Sequence, residues 1–271
     1  MQVLKRLLDF YINGSIHVAL SVYALVRITG FVFQITAIQS PALFAFFGTI
    51  VGYNFVKYDA LARTQKRYMR KQLKAIVVLS FFSLLACGFY FFQLASQTKI
   101  IAVVFLWLTL LYTLPFFPNR KNARNWAGIK IYIVALCWVG VTLFLPIVNA
   151  GIPLTTAAFL VALQRFILIF VLILIFEIID LKQDDPHLKT VPQQIGVART
   201  KKLGTLLLIG FIALEFLYAD FNYKTLLLKF GIGSTVLFFL LYAHENRSKY
   251  YSAFWAESIP ILWWILLVLF Q

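Results

Sequence analysis

Hydrophobic positions along this chain come in runs of roughly 17 to 25 residues, the length of a helix that crosses a bilayer. Charged residues collect between the runs. The pattern predicts nine helices, near 15 to 37, 41 to 61, 75 to 95, 99 to 117, 128 to 149, 154 to 180, 204 to 219, 223 to 243 and 253 to 270, the seventh being short. The expected fold is all-α, a polytopic membrane protein forming one membrane-embedded domain over 1–271.

Charge sharpens this picture. With the N-terminus inside, twenty of the 25 Lys and Arg residues fall on one side, while Lys99, Lys224 and Lys229 fall on the other and Arg27 and Arg165 lie within runs. Such asymmetry predicts orientation by the positive-inside rule, with the basic ends in the cytoplasm, here of a bacterial cytoplasmic membrane. A net charge of +15 would suggest nucleic acid in a soluble protein, but topology accounts for it, and neither nucleic acid nor an obligate protein partner is implied. Residues that are 62% hydrophobic, 17% aromatic and 13% charged exclude a soluble domain. The opening MQVLKRLLDFYINGS has no small-residue cleavage site and reads as an uncleaved anchor. Cys87 and Cys137, isolated within apolar runs, suit packing better than a disulfide or a zinc site.

One stretch concentrates chemistry. Residues 177–204, EIIDLKQDDPHLKTVPQQIGVARTKKLG, hold four of the ten acids, Glu177, Asp180, Asp184 and Asp185. At about 100° per residue, 177, 180 and 184 line one face of a helix end just where an apolar run leaves the hydrocarbon. Carboxylates there are hydrated, paired or metal-bound. Asp180 and Asp184 suit Mg²⁺, which is held by one or two carboxylates with substrate phosphates and waters; a solvated helix terminus is the other reading. Lys189, Arg199, Lys201 and Lys202 add positive charge suited to an anion.

DLKQD followed by LKTVPQQIG resembles the second Asp-rich motif of the UbiA superfamily of intramembrane prenyltransferases, D-x-x-x-D and then T-x-P-x-x-x-G, with Asp180, Asp184, Thr190, Pro192 and Gly196 at the motif positions. The resemblance implies nine transmembrane helices bundled around a central lipid-accessible cavity. It implies Mg²⁺ as cofactor, bound by Asp180 and Asp184, and transfer of a polyprenyl group from its diphosphate to an aromatic or other lipophilic acceptor. Departing diphosphate leaves an allylic cation that aromatic faces can stabilise by roughly 0.5–2 kcal/mol each.

The first Asp-rich motif of that superfamily belongs at the end of the second helix. This chain keeps Asn54 there, but Phe55, Tyr58 and Ala62 stand where acids would, and Asp59 is displaced by one position. Asn54, Lys57 and Tyr58 share a helix face. An offset of 126 residues aligns Asn54, Tyr58 and Asp59 with Asp180, Asp184 and Asp185, the pattern of a weak internal repeat. Lys57 has three readings: a point charge on diphosphate replacing a second metal, an ion pair with Asp180 or Asp184, or a lysine snorkelling to the interface. The cations from Arg63 to Lys74 fit anionic lipid or a diphosphate entry funnel.

Between helices 4 and 5, Tyr112, Arg124 and Lys130 resemble the tyrosine and basic residues that the superfamily places near diphosphate and acceptor, while Tyr112 equally suits an interfacial aromatic belt. The candidate catalytic residues are therefore Asp180, Asp184, Lys57 and Tyr112, and the candidate diphosphate contacts Asn54, Lys57, Arg124, Lys130 and Lys189. Near mid-membrane, Glu215 is expected to pair with Arg165 or with Arg27, a catalytic role being the other reading, and His17 reads as a hydrogen-bonded interface residue or one with a ligand or proton role. Glu257 is the one acid opening the last helix, where nothing identifies chemistry. Two other functions compete. The lost acids at 58 and 62 favour an inactive UbiA-like protein binding a prenyl lipid or quinone; a transporter would explain the repeat and Arg165, but not the T-x-P-x-x-x-G run.

Overall fold

The computed structural model describes residues 2–64, 71–113, 128–219 and 221–269. Among them there is no strand. The chain folds into α1 (Gln2–Asn13), α2 (Ile16–Val32), α3 (Gln39–Thr64), α4 (Lys71–Gln93), α5 (Ser96–Thr113), α6 (Lys130–Asn149), α7 (Thr156–Ile179), α8 (Val191–Ile195), α9 (Val197–Ala213), α10 (Tyr223–Tyr242) and α11 (Tyr251–Leu269). Over its described residues, each expected apolar run overlaps one of these helices. The seventh departs most: α9 begins at Val197, seven residues early, because the backbone turns at Gly196, at φ +81°, and Arg199, Lys201 and Lys202 then fall within its first two turns.

Among the described residues, five helices are long and apolar enough to cross a membrane: Gln72–Gln93, Lys130–Asn149, Thr156–Ile179, Tyr223–Tyr242 and Tyr251–Leu269. A sixth span results if α1 and α2, bent by 56° across a short break, are counted as one. Helices apolar on all sides bury one face in protein and leave the other to lipid. The most apolar 18 residues of α7 are 56% buried and those of α4 only 11%, so α7 is central and α4, with Phe82, Phe89 and Phe92 outward, is peripheral.

Two apolar clusters meet on α7. Leu168, Leu174, Ile175 and Ile178 pack with α6, α9, α10 and α11 through Ile131, Phe211, Val236 and Trp263. Ala158 and Val161, one to two turns into α7, join Val22 and Val26 of α2 and Leu143 of α6. The chain's central helix therefore ends at Asp180.

Sequence also shapes the middle of α6. A π turn at Gly140–Phe144 interrupts it, a geometry that recurs as single-turn bulges. Four residues after Thr142 stands Pro146, which has no N–H to give the Thr142 carbonyl. Thr29 Oγ1 and Arg165 Nη1 donate to that carbonyl instead, at 2.7 and 2.8 Å. At Gly140 the Phe105 ring lies where a Cβ would be, 1.7 Å from Cζ.

These contacts revise the expected mid-membrane pairs. Arg165 is buried and bonded to Thr29 and Thr142. Glu215 instead pairs with Lys229 of α10, Nζ to Oε2 at 2.5 Å, and accepts from Gln164 Nε2 at 3.1 Å. Arg27 reaches Tyr23 and Gln39 at 3.2 and 3.1 Å and lies over the Trp264 ring. The physical reason is length: α2 ends at Val32, so Arg27 sits near the turn into α3 rather than at mid-depth. Lys229, read from sequence as facing outside, is buried as the acid's partner.

Candidate functional site

The acid-rich stretch is built by local rules. The N–H groups of Gln183 and Asp184 donate to the Asp180 carbonyl at 2.7 and 2.9 Å, closing a turn that keeps Asp184 beside the end of α7. Asp185 accepts from the His187 N–H at 2.9 Å, which caps a single 3₁₀ turn before Lys189 turns left-handed at φ +45°. Thr190 then opens α8, with Gln193 Oε1 accepting from its N–H at 3.0 Å and Pro192 in the first turn, where a missing N–H costs little. Gly196 ends it. Thr190, Pro192 and Gly196 thus act through the backbone, folding a short helix back under the end of α7.

That return is fixed by Glu177. Its Oε2 accepts from the Val191 N–H at 3.0 Å, and the side chain is buried. A carboxylate on the leading N–H of a helix is a charge-assisted bond. Across the site, Gly128 N–H donates to the Leu188 carbonyl at 3.4 Å, which brings the first turn of α6 alongside. Lys130 there interacts electrostatically with Glu177 and Asp180.

Asp180 and Asp184 are neighbours that interact through their charges. Burial and, next, the Asp184 carboxylate raise the Asp180 carboxyl above its ordinary value, against which the Lys130 ammonium works. Asp184 Oδ2 is buried with no hydrogen-bond partner. Among the described residues no group of three or more His, Cys, Asp or Glu side chains is placed to hold a metal. The donor set is therefore two carboxylates, one with an unpartnered buried oxygen. This fits an Mg²⁺ ion completed by phosphate and water oxygens, and does not fit a metal held by protein alone.

The residues expected from the first motif are elsewhere engaged. Asn54 is buried, its Nδ2 donating to the Gly14 carbonyl at 3.1 Å and to Ser80 at 2.9 Å, while its Oδ1 has no partner. Tyr58 donates to the Asn13 carbonyl at 2.9 Å. Lys57 is exposed and donates from Nζ to Ser15 Oγ at 3.1 Å, with the Tyr53 ring 5.8 Å away. Its electrostatic partner is Glu257, at the start of α11. Neither Asn54 nor Lys57 bonds to Asp180 or Asp184 among the described residues.

A second polar cluster thus surrounds Lys57. His17 Nε2 lies 2.9 Å from the Phe254 carbonyl, which can only accept, so the proton sits on Nε2 and Nδ1 receives the Tyr11 hydroxyl at 2.9 Å. Glu257 also interacts with Tyr11. Sequence reasoning gave Glu257 no role, since one acid in an aromatic loop carries no spacing signal; its depth, matching that of Lys57, is the signal it does carry.

Of the remaining candidates, Lys189 is on the surface, its carbonyl accepting from Gln194. The Tyr112 side chain and Arg124 lie outside the described residues. Comparison with family models, with curated proteins and with solved structures found no match to this chain.

Proposed function

We propose that the protein is an intramembrane prenyltransferase, moving a polyprenyl group from its diphosphate to an aromatic or other lipophilic acceptor. In this reading the nine helices form a bundle around a central lipid-accessible cavity, with the basic ends and the N-terminus in the cytoplasm. The observation that carries it is the Asp180–Asp184 pair at the end of the central helix, with one buried Asp184 oxygen left without a partner and Lys130 interacting with Asp180.

Asp180 and Asp184 would hold Mg²⁺, which when bound neutralises charge on a departing diphosphate. The chain's own residues do the rest. Glu177 holds the Val191 end of α8 so that the loop bearing both aspartates keeps one geometry. Lys130 offsets the local negative charge and offers a cation to diphosphate oxygens. Lys57, with three donor hydrogens and one given to Ser15, keeps donor capacity for an anion.

The test is Mg²⁺-dependent release of diphosphate from a prenyl diphosphate by the purified protein. Asp180→Ala and Asp184→Ala should each abolish it; undiminished release in both rejects the site.

A second reading, an inactive relative binding a prenyl lipid or quinone, is favoured by one observation. The Tyr58 hydroxyl is spent on the Asn13 carbonyl and Lys57 faces Glu257, so these two first-motif positions are tied into the fold. Saturable binding of a prenylated quinone without any diphosphate release selects it.

A further inference from the structure

The first twelve helical residues were expected to be a simple anchor. At about 100° per residue, Val3, Leu4, Leu7, Leu8, Phe10, Tyr11 and Ile12 of α1 fall on one side, and Gln2, Lys5, Arg6, Asp9 and Asn13 occupy the remaining arc of about 100°. The helix is amphipathic along its whole length, unlike the all-round apolar spans.

Its two halves are placed differently. The second half is fastened to the bundle: Asp9 accepts from the Tyr250 hydroxyl, Tyr11 bonds His17, and the Asn13 carbonyl accepts from Tyr58. The first half stands clear, with Val3, Leu4 and Leu7 exposed by 70, 73 and 61% and Lys5 and Arg6 also exposed. Ser15, left-handed at φ +61°, makes the turn that bends α1 by 56° from α2. A helix continuing α2 through the bilayer would have to bury Lys5, Arg6 and Asp9 in hydrocarbon.

We propose that α1 lies in the plane of the membrane and binds an anionic lipid surface. Val3, Leu4 and Leu7 enter the boundary between headgroups and acyl chains, and Lys5 and Arg6 meet the lipid phosphates. Charge selects this occupant. The loop fastened to α1 through Tyr250 brings Arg247 and Lys249 to the same end of the bundle, and basic residues at a bilayer boundary are drawn to anionic lipid.

The experiment uses the full chain with Cys87→Ser and Cys137→Ser, carrying a single nitroxide on Leu4→Cys or on Arg6→Cys. It is reconstituted in vesicles of phosphatidylcholine alone or mixed with phosphatidylglycerol. Accessibility to dissolved oxygen and to a water-soluble nickel chelate gives each label's depth. Both positions are surface-exposed, so folding is not at stake. The Leu4 label should favour oxygen and the Arg6 label the chelate. Phosphatidylglycerol should deepen the Leu4 label, a shift lost on adding salt or in the Lys5→Gln, Arg6→Gln double variant. Three results overturn the proposal: a Leu4 label open to the chelate in both vesicles, two labels equally deep as in a crossing helix, or a Leu4 label shielded from both reagents as under a second copy of the chain.

Discussion

A buried carboxylate oxygen with no donor costs free energy, by roughly 1–3 kcal/mol or more when charged. Asp184 Oδ2 carries that cost, and Asp180 shows a related one, its carboxyl raised by burial and by Asp184. An acid raised above its unfolded value of 3.8 weakens the native state at neutral pH. That penalty is relieved as pH falls through the raised value toward 3.8. A cation on the pair would relieve it at neutral pH instead. Thermal unfolding with and without Mg²⁺ checks this: Mg²⁺ should raise Tm near neutrality, and the increment should shrink as pH falls through the window above 3.8. It should be absent in Asp180→Asn, and an increment independent of pH would contradict the assignment. Glu177 makes a separate prediction. Glu177→Ala leaves the Val191 N–H without its acceptor and should lower stability by about 1–3 kcal/mol, which Glu177→Gln largely restores in equilibrium unfolding. Asp180 and Asp184 were legible because their spacing is local. Glu257 beside Lys57 was not, since the two meet only through the packing of α3 and α11.

Between elements, pairing is decided by the face a residue occupies, and each position rotates that face by about 100°. Depth along the runs correctly put Glu215 in need of a cation but could not choose among Arg165, Arg27 and Lys229. Pro146 made the difference at Arg165. By freeing the Thr142 carbonyl it supplies the arginine with neutral acceptors, leaving Glu215 to Lys229 of the adjoining helix. The charges then rank two variants. Glu215→Gln leaves Lys229 without its acid while it still feels the like charge of Arg165, whereas Lys229→Met removes one of those two cations. Breaking a buried pair costs about 3–5 kcal/mol, so both should be destabilising in denaturant titration, with Glu215→Gln the worse. The opposite order would show that Arg165 does not share the field of this cluster. Gly140 is a packing case. The Phe105 ring fills the space of a Cβ, so Gly140→Ala should cost about 1–3 kcal/mol, and Phe105→Leu in the same chain should recover part of it.

Over the whole molecule, the runs of hydrophobic residues overlap the helices, five of which, among the described residues, have spanning length and hydropathy. Which helix is central was not written there. α7 holds that place because its residues contact both apolar clusters, and it delivers Asp180 to the point where α6, α8 and the end of α7 converge. The bend between α1 and α2 was likewise hidden, since it depends on one left-handed serine. The central claim is that this convergence binds a prenyl diphosphate through Mg²⁺. The most direct measurement is equilibrium binding of a non-hydrolysable prenyl diphosphate analogue to the purified chain, with and without Mg²⁺, beside Asp184→Asn and Lys57→Ala. The account predicts saturable binding that requires both Mg²⁺ and Asp184 and weakens further in Lys57→Ala. Binding of equal strength without Mg²⁺, or unchanged in Asp184→Asn, would contradict it.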